Sequence, residues 1–160
     1  MNKGHAQPAP GFTIVELVAV LAILGVLAAL VMPLGESLVA AQKERDLHRA
    51  LWEIRAAIDE YKQTADRLGT APTASGYPPT LRALVEGVPD SRPGQRGARI
   101  YFLRRVPRDP FAPLELPAEE TWHLRSYVSP PHDPRPGSDV YDVKSTSTGI
   151  ALDGTRHDAW

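Results

Sequence analysis

The sequence of 160 residues contains no cysteine. This absence excludes disulfide bonds as a source of stability, and it excludes lipoprotein acylation, which takes place on a cysteine. The sequence also lacks a large excess of positive or negative charge, because it has 18 basic and 19 acidic residues and a formal net charge of -1. Without a strong positive field, the chain is not expected to bind nucleic acid.

Motifs typical of catalysis are also missing. The five histidines do not have metalloprotease spacing, and the sequence contains neither a phosphate-binding glycine loop nor a nucleophile elbow. Two His-Asp pairs, His132-Asp133 and His157-Asp158, have turn-like surroundings that favour ordinary surface positions. We therefore expect no enzyme activity.

The sequence does contain one long apolar run. From Phe12 to Leu34 there are 23 residues, and the stretch from Leu17 to Met32 carries no charge. A helix of that length, rising about 1.5 Å per residue, covers roughly 34 Å and can cross a hydrocarbon core about 30 Å thick. The sequence thus predicts a transmembrane helix over residues 12–34.

Glu16 lies inside this run, so its carboxylate either has a partner or reaches water. A carboxylate within a membrane span is costly unless an opposite charge neutralises it, and such residues are candidate functional sites by default. The alternative is that Glu16 lies close enough to the membrane surface to be solvated and has no function.

Residues 1–11 form a short, polar and weakly basic segment that we interpret as a leader peptide. A cleaved secretory signal is one alternative, since Ala28-Ala29 resembles the small residues at a signal cut. The length of the apolar run and the acid near its start argue against that alternative. A plain membrane anchor is the other one.

The heptapeptide Gly11-Phe12-Thr13-Ile14-Val15-Glu16-Leu17 resembles the processing motif of type IV pilins and type II secretion pseudopilins. In that family a membrane peptidase cuts after the glycine, and the newly exposed residue is N-methylated. The resemblance implies cleavage between Gly11 and Phe12, N-methylation of Phe12, and Glu16 as the fifth residue of the mature chain. Pro33 falls where these helices often carry a proline, and we expect it to bend the helix.

We hypothesise that another copy supplies a partner for Glu16, and the resemblance implies a location for the chain. A staggered filament would bring the cationic α-amine of Phe12 in a neighbouring copy beside Glu16. The implied location is the inner membrane, crossed once, with the C-terminal domain in the periplasm. The implied partners are other copies of the chain, the prepilin peptidase, other pseudopilins, inner-membrane secretion components and membrane lipid.

Beyond the span, an apolar stripe predicts that the helix continues over residues 35–69, and the resemblance implies that this part lies in the periplasm. Gly69 supplies its stop. The members of the stripe are Leu47, Leu51, Ile54, Ile58, Tyr61, Ala65 and Leu68.

Residues 70–160 are predicted to form one small domain. A short helix follows a cap at Thr80, and proline-rich loops come next. Alternating residues predict strands over Trp122–Val128 and Asp139–Lys144, with a third over Ile150–Leu152. The predicted fold class is α+β and pilin-like, with a long N-terminal transmembrane helix extending into a small antiparallel sheet domain.

Acids near the end of the sequence raise the question of a metal. Asp139, Asp142, Asp153 and Asp158 offer the hard oxygen ligands that calcium takes. The family resemblance implies a calcium site here and carries over Asp153 and Asp158 as ligands. The glycine-rich spacing usual in the family is replaced by Ser145-Thr146-Ser147-Thr148, so a turn at Asp153 and a solvated Asp158 remain the alternative.

Two classes of function remain open. The first is a structural pseudopilin subunit of the type II secretion machinery, which polymerises into a periplasmic pseudopilus and drives protein export. A type IV pilin or a minor pseudopilin is the runner-up within that class. The second class is a membrane-anchored interaction domain that does not polymerise, and removal of the leader distinguishes the two.

Overall fold

The computed structural model describes residues 11, 13–95 and 97–160, including the backbone but not the side chains of residues 30–36. It divides into two units, Met1–Val39 and Ala40–Trp160. The elements in chain order are helix α1 (Ile14–Leu68), helix α2 (Leu81–Glu86), strands β1 (Val88–Pro89) and β2 (Arg99–Ile100), a first 3-10 turn (Ala118–Thr121), strands β3 (Trp122–Arg125) and β4 (Asp142–Ser145), and a second 3-10 turn (His157–Ala159).

The first unit contains the part of α1 that ends at Val39. Among the residues that the structure describes, no helix combines the length and the apolar character needed to cross a membrane. The span predicted over residues 12–34 stays a prediction, because Phe12 and the side chains of residues 30–36 lie outside the described residues. The bend predicted at Pro33 falls in that stretch and also stays a prediction.

The second unit is built on the apolar stripe that the sequence predicts for α1. Leu47, Ile54 and Ile58 have none of their surface exposed, because side chains spaced by three and four residues share one face of the helix. Complete burial of one such side chain contributes about 1.5–3 kcal/mol. The buried members of the stripe are Leu47, Leu51, Ile54, Ile58, Tyr61 and Ala65, and Leu68 is partly buried beside them.

Both predicted capping residues are confirmed. α1 ends at Leu68, and Gly69 follows with a φ of 63°, in the left-handed region that favours glycine. Thr80 precedes α2, and its Oγ1 accepts a hydrogen bond of 3.3 Å from the Ala83 N–H. This bond satisfies one of the free N–H groups in the first turn of α2.

Two small antiparallel sheets complete the core of the second unit. β1 pairs with β2, with Val88 opposite Ile100, and β3 pairs with β4, with Trp122 opposite Ser145. Val88, Trp122 and Val143 pack into the same buried cluster as the α1 stripe. Helices combined with small antiparallel sheets confirm the predicted α+β class.

The strand predicted over Trp122–Val128 is shorter in the structure and ends at Arg125. The backbone N–H of Tyr127 donates a 2.8 Å hydrogen bond to the carboxylate of Asp139, not to a neighbouring strand. The Asp139 side chain thus takes the place of a neighbouring strand at Tyr127. The alternation of side chains in the sequence therefore extends beyond Arg125, the last residue that pairs with β4.

The strand predicted over Asp139–Lys144 begins later, at Asp142, and ends at Ser145. Val140, expected near the start of this strand, does not bond to β3, because its N–H donates to the Pro78 carbonyl at 2.8 Å.

The prediction of a third strand over Ile150–Leu152 is wrong. An isolated bridge joins Ile150 to Arg156. The sequence also fails to predict β1 and β2, because strands of two residues are too short to show an alternating pattern.

Candidate functional site

The described N-terminal residues place Glu16 in the first turn of α1. Thr13 Oγ1 accepts a hydrogen bond of 3.2 Å from the Glu16 N–H, and the Thr13 carbonyl accepts one of 3.1 Å from the Leu17 N–H. Gly11 and Glu16 are both exposed. Phe12, the residue predicted to be exposed by cleavage and N-methylated, lies outside the described residues.

The Thr13 cap gives the motif a structural role that the sequence argument missed. A threonine followed three positions later by glutamate is the signature of a helix capping box, and it is readable in the sequence. An acid in the first turn is also favoured by the helix dipole. Glu16 therefore suits the start of α1 whether or not another copy supplies a charge.

Large apolar side chains surround Glu16 on every side of the helix and are exposed. Ile14 and Val15 have 82% and 78% of their surface exposed. A helix that is apolar all round is normally covered by lipid or protein. The exposed apolar residues of this stretch are Ile14, Val15, Leu17, Val18, Val20, Leu21, Ile23, Leu24, Val26 and Leu27.

The second candidate site is the C-terminal loop, which we define as residues 146–160. It contacts α1 at several points. The Trp160 ring stacks on His48 with ring centroids 3.9 Å apart, and the Leu152 N–H donates to Glu44 Oε1 at 3.0 Å. Arg55 donates from Nη2 to the Trp160 carbonyl at 2.9 Å. These contacts fix the path of the loop over the helix.

His157 is the buried centre of this loop, with 4% of its surface exposed. Its ring stacks on Phe111 at a centroid distance of 4.1 Å, and its Nδ1 lies 3.0 Å from Ser147 Oγ. Its Nε2 lies 3.9 Å from Glu44 Oε1, beyond hydrogen-bonding distance. Sequence reasoning placed His157 on the surface, and this prediction is wrong because Phe111, which stacks on it, comes from a distant segment.

The two aspartates predicted to bind calcium are held by other groups. Asp153 Oδ1 accepts hydrogen bonds from the Thr155 hydroxyl at 2.7 Å and the Thr155 N–H at 2.9 Å, and these bonds lower the pKa of Asp153. Both oxygens of Asp158 accept from Arg156, at 2.9 and 2.6 Å, and these bonds lower the pKa of Asp158.

This donor set does not fit calcium, which takes six to eight oxygen ligands. Arg156 already neutralises Asp158, and Asp153 belongs to a local turn. The described part of the chain holds no group of three or more histidine, aspartate or glutamate residues that could bind a metal ion. Calcium binding stays a prediction of the family resemblance, and this arrangement of side chains does not support it.

Asp109 is a buried residue that sequence reasoning did not single out, although it lies in one of the proline-rich loops, between Pro107 and Phe111. None of its surface is exposed. Its carboxylate accepts hydrogen bonds from the Phe111 N–H at 2.8 Å, the Ser145 hydroxyl at 2.6 Å and the Thr146 N–H at 3.3 Å. Asp109 thus ties a proline-rich loop to the end of β4 and the start of the C-terminal loop.

Helix α1 begins within the Gly-Phe-Thr-Ile-Val-Glu motif, and small antiparallel sheets pack against its apolar stripe. These are the features of a pilin-like subunit. Type II secretion system core protein G of Klebsiella pneumoniae is 36% identical over 108 residues, which cover 63% of this chain and 68% of that protein. The protein of the same name from Pectobacterium carotovorum subsp. carotovorum is 35% identical over 117 residues, covering 69% of this chain and 65% of that protein.

The corresponding protein of Pseudomonas aeruginosa is 33% identical over 101 residues, covering 63% of this chain and 67% of that protein. No family model matches the chain, and no solved structure matches it. The chain belongs to the family of type II secretion system core protein G. The resemblance to secretion pseudopilins is thereby confirmed.

Proposed function

We propose that the chain is a major pseudopilin, processed after Gly11 and polymerised into a periplasmic filament that drives protein export by the type II machinery. The observation that carries this proposal is the combination, in one helix, of the processing motif and a surface that is apolar on all sides around Glu16. The similarity to core proteins of type II secretion systems supports it.

The exposed apolar surface supports storage in the inner membrane before assembly. Exposure of ten aliphatic side chains to water is unfavourable in free energy, whereas lipid and the helices of other copies can cover them. Under this proposal residues 12–34 span the membrane once and Ala40–Trp160 lies in the periplasm. Membrane lipid, the prepilin peptidase, other pseudopilins and inner-membrane secretion components are the proposed partners, and we assign no catalytic role.

Glu16 is proposed to select the position of the neighbouring copy. After cleavage, the α-amine of Phe12 is a cation, and a staggered neighbour places it beside Glu16 in a medium of low dielectric constant. An isolated carboxylate in lipid is costly, so the pairing favours only those arrangements that supply the amine. The charge of Glu16 matters in this mechanism, in addition to the hydrogen bond between its backbone N–H and Thr13.

Substitution by glutamine separates the charge of Glu16 from the polarity of its side chain. Gln also fits the capping-box signature but carries no charge, whereas Ala removes both the polar group and the charge and keeps the backbone bond to Thr13. We expect Glu16→Gln and Glu16→Ala to be cleaved normally and to fail equally in filament formation and export. If Glu16→Gln assembles like the wild type while Glu16→Ala does not, a polar side chain rather than the charge is what assembly needs, and the proposed pairing is wrong.

Leader removal distinguishes the proposal from the alternatives. Co-expression with a prepilin peptidase is expected to remove residues 1–11 from this chain. A membrane-anchored domain that does not polymerise would keep them. A type IV pilin or a minor pseudopilin would also be cleaved, so filament composition separates these runner-up functions. A major subunit makes up most of the filament, and a minor one does not.

A further inference from the structure

Trp52 is exposed on α1, with 74% of its surface accessible to solvent. Tryptophan is usually largely buried in folded proteins, and it is among the residue types most enriched at binding hot spots. Beside Trp52 lies a surface recess of about 410 Å³, whose apolar lining includes Ala56, Phe102 and Leu103. An exposed aromatic ring next to an apolar recess indicates a surface that a partner covers.

The side chains on the same side of α1 as Trp52 form a continuous stripe. Successive residues of an α-helix turn by about 100°, so positions spaced by three or four fall on one side. All members of this group are exposed. The group, which we call the Trp52 stripe, consists of Arg45, Arg49, Trp52, Ala56, Asp59 and Glu60.

Charge is segregated along the Trp52 stripe. Arg45 and Arg49 precede the tryptophan, and Asp59 and Glu60 follow it. Arg49 lies 3.4 Å from Asp46, but this pair is exposed and contributes little to holding the guanidinium in place. The Arg49 guanidinium is thus available to an outside partner.

The acidic end of the stripe is available as well. Lys62, the cation nearest in sequence to Asp59, is bound to Asp66 at 2.6 Å, and no salt bridge to Asp59 forms among the described residues. Glu60 shares the recess with Arg104, so Asp59 is the acid better placed to take a cation from another molecule.

A stripe with a basic half and an acidic half is complementary to a displaced copy of itself. Two parallel copies in register would bring like charges together, which is unfavourable by several kcal/mol at a close interface. A displacement along the helix axis removes this repulsion. Ten residues separate Arg49 from Asp59, so a displacement of roughly 15 Å places the arginine of one copy beside the aspartate of the next.

We propose that the Trp52 stripe is the surface through which one copy contacts the next, with Arg49 beside Asp59 of the neighbouring copy and Trp52 buried in the contact. This inference rests on the proposed function, since it needs a filament of parallel, displaced copies. It adds a second determinant of subunit position, located in Ala40–Trp160 and separate from Glu16.

Cysteine cross-linking tests the contact directly, because the chain contains no cysteine of its own. The full-length chain carries Arg49→Cys and Asp59→Cys together, is expressed with its secretion machinery, and is treated in the membrane with a bifunctional thiol reagent. Since an arginine–aspartate pair can hold its Cα atoms farther apart than the limit of about 7 Å for a disulfide, the reagent must span that longer contact, and the proposed contact then predicts a ladder of linked multimers. Each single variant is expected to give dimers at most.

Two negative results have different meanings. If the double cysteine variant is cleaved and forms filaments but gives no ladder, the inference is overturned and the proposed function stands. If the wild-type chain is itself not cleaved or forms no filaments, the proposed function fails and the inference fails with it.

Charge reversal provides an independent test in the cysteine-free chain. Arg49→Glu and Asp59→Arg each place like charges in the contact, and each is expected to lower filament yield by roughly tenfold or more. The two together in one chain restore an opposite pair and are expected to recover most of the yield. Arg82→Glu, on the exposed surface of α2, is the matched control.

Recovery in the double variant is the decisive outcome, since general damage to the fold would not be reversed by a second change. A double variant no better than either single one overturns the inference, as do single variants that assemble like the wild type. Trp52→Ala is expected to lower filament yield with an unchanged melting temperature, because the ring is exposed in the single copy.

Discussion

Arg55 on α1 donates a hydrogen bond of 2.9 Å from Nη2 to the carbonyl oxygen of Trp160. The same guanidinium donates to the Asp142 carboxylate at 2.8 Å and to the Val143 carbonyl at 2.9 Å. One side chain therefore joins the helix to β4 and to the end of the C-terminal loop. The planar fork of arginine suits this geometry, and a lysine ammonium does not.

Substitutions at Arg55 are expected to loosen the C-terminal loop. Arg55→Lys should lower the free energy of unfolding by about 1 kcal/mol and Arg55→Met by about 2 kcal/mol, values reduced because 38% of the side chain is exposed. Urea unfolding followed by tryptophan fluorescence measures both. Arg82→Met is the control, since its exposed contact with Glu86 is weak. An Arg55→Met variant as stable as the wild type would contradict the anchoring role.

Asp109 is expected to be among the least replaceable polar residues of the second unit. Asp109→Ala leaves the Ser145 hydroxyl and the Phe111 N–H without their acceptor in a buried site, and each such loss costs about 1–3 kcal/mol. Asp109→Asn keeps one acceptor oxygen and should cost less. Melting temperatures should fall from the wild type to Asp109→Asn and then to Asp109→Ala, and the exposed Asp133→Ala is the control. Equal melting temperatures for Asp109→Ala and Asp133→Ala would rule out this role.

Acid is expected to destabilise the protein through Asp139. Burial raises the pKa of this carboxyl, but hydrogen bonds from the Ser75 hydroxyl and the Tyr127 N–H outweigh burial and hold the pKa below its ordinary value. A carboxyl with a lowered pKa stabilises the folded state above the unfolded-state pKa of about 3.9. That stability is lost as the pH falls through the folded-state pKa.

The Ser75→Ala variant tests this dependence, because it removes one of the bonds that lower the Asp139 pKa. Its unfolding midpoint in an acid titration, followed by circular dichroism, should move to a higher pH than that of the wild type. Ser129→Ala serves as a serine control elsewhere in the same unit. An unchanged midpoint for Ser75→Ala would show that Asp139 does not govern acid unfolding.

Calcium is expected to leave the stability of this chain unchanged. Asp158 is neutralised by Arg156, and Asp153 is bound to Thr155, so few ligands remain for a cation that needs six to eight. Melting temperatures in calcium and in chelator should agree. Arg156→Gln frees Asp158 and is the variant most able to gain calcium dependence. A rise in the wild-type melting temperature with calcium would instead support the site implied by the family resemblance.

Local sequence signals predicted those parts of the fold that depend on neighbouring residues. The α1 stripe follows from the spacing of apolar side chains, and the boundaries at Gly69 and Thr80 follow from capping chemistry. The Thr13 cap was equally readable from Thr13 and Glu16 but was overlooked. Such features involve residues three or four positions apart, which is why one sequence suffices to find them.

Features that depend on distant residues could not be predicted in the same way. Asp109 and Ser145 are 36 positions apart, and no local pattern relates them. The strand that begins at Trp122 ends early because the Asp139 carboxylate accepts a hydrogen bond from the Tyr127 N–H. His157 is buried because Phe111, which is distant in the sequence, stacks on it. In each case the partner becomes known only once the chain is folded.

The N-terminal residue of the mature chain is the most direct test of the account. Protein isolated from its native membrane is digested, and the N-terminal peptide is identified by mass spectrometry. We predict that it begins at Phe12 with one methyl group on the α-amine, because the assembly mechanism requires that amine to face Glu16 of another copy. Filaments built from chains that still begin at Met1 would contradict the central claim.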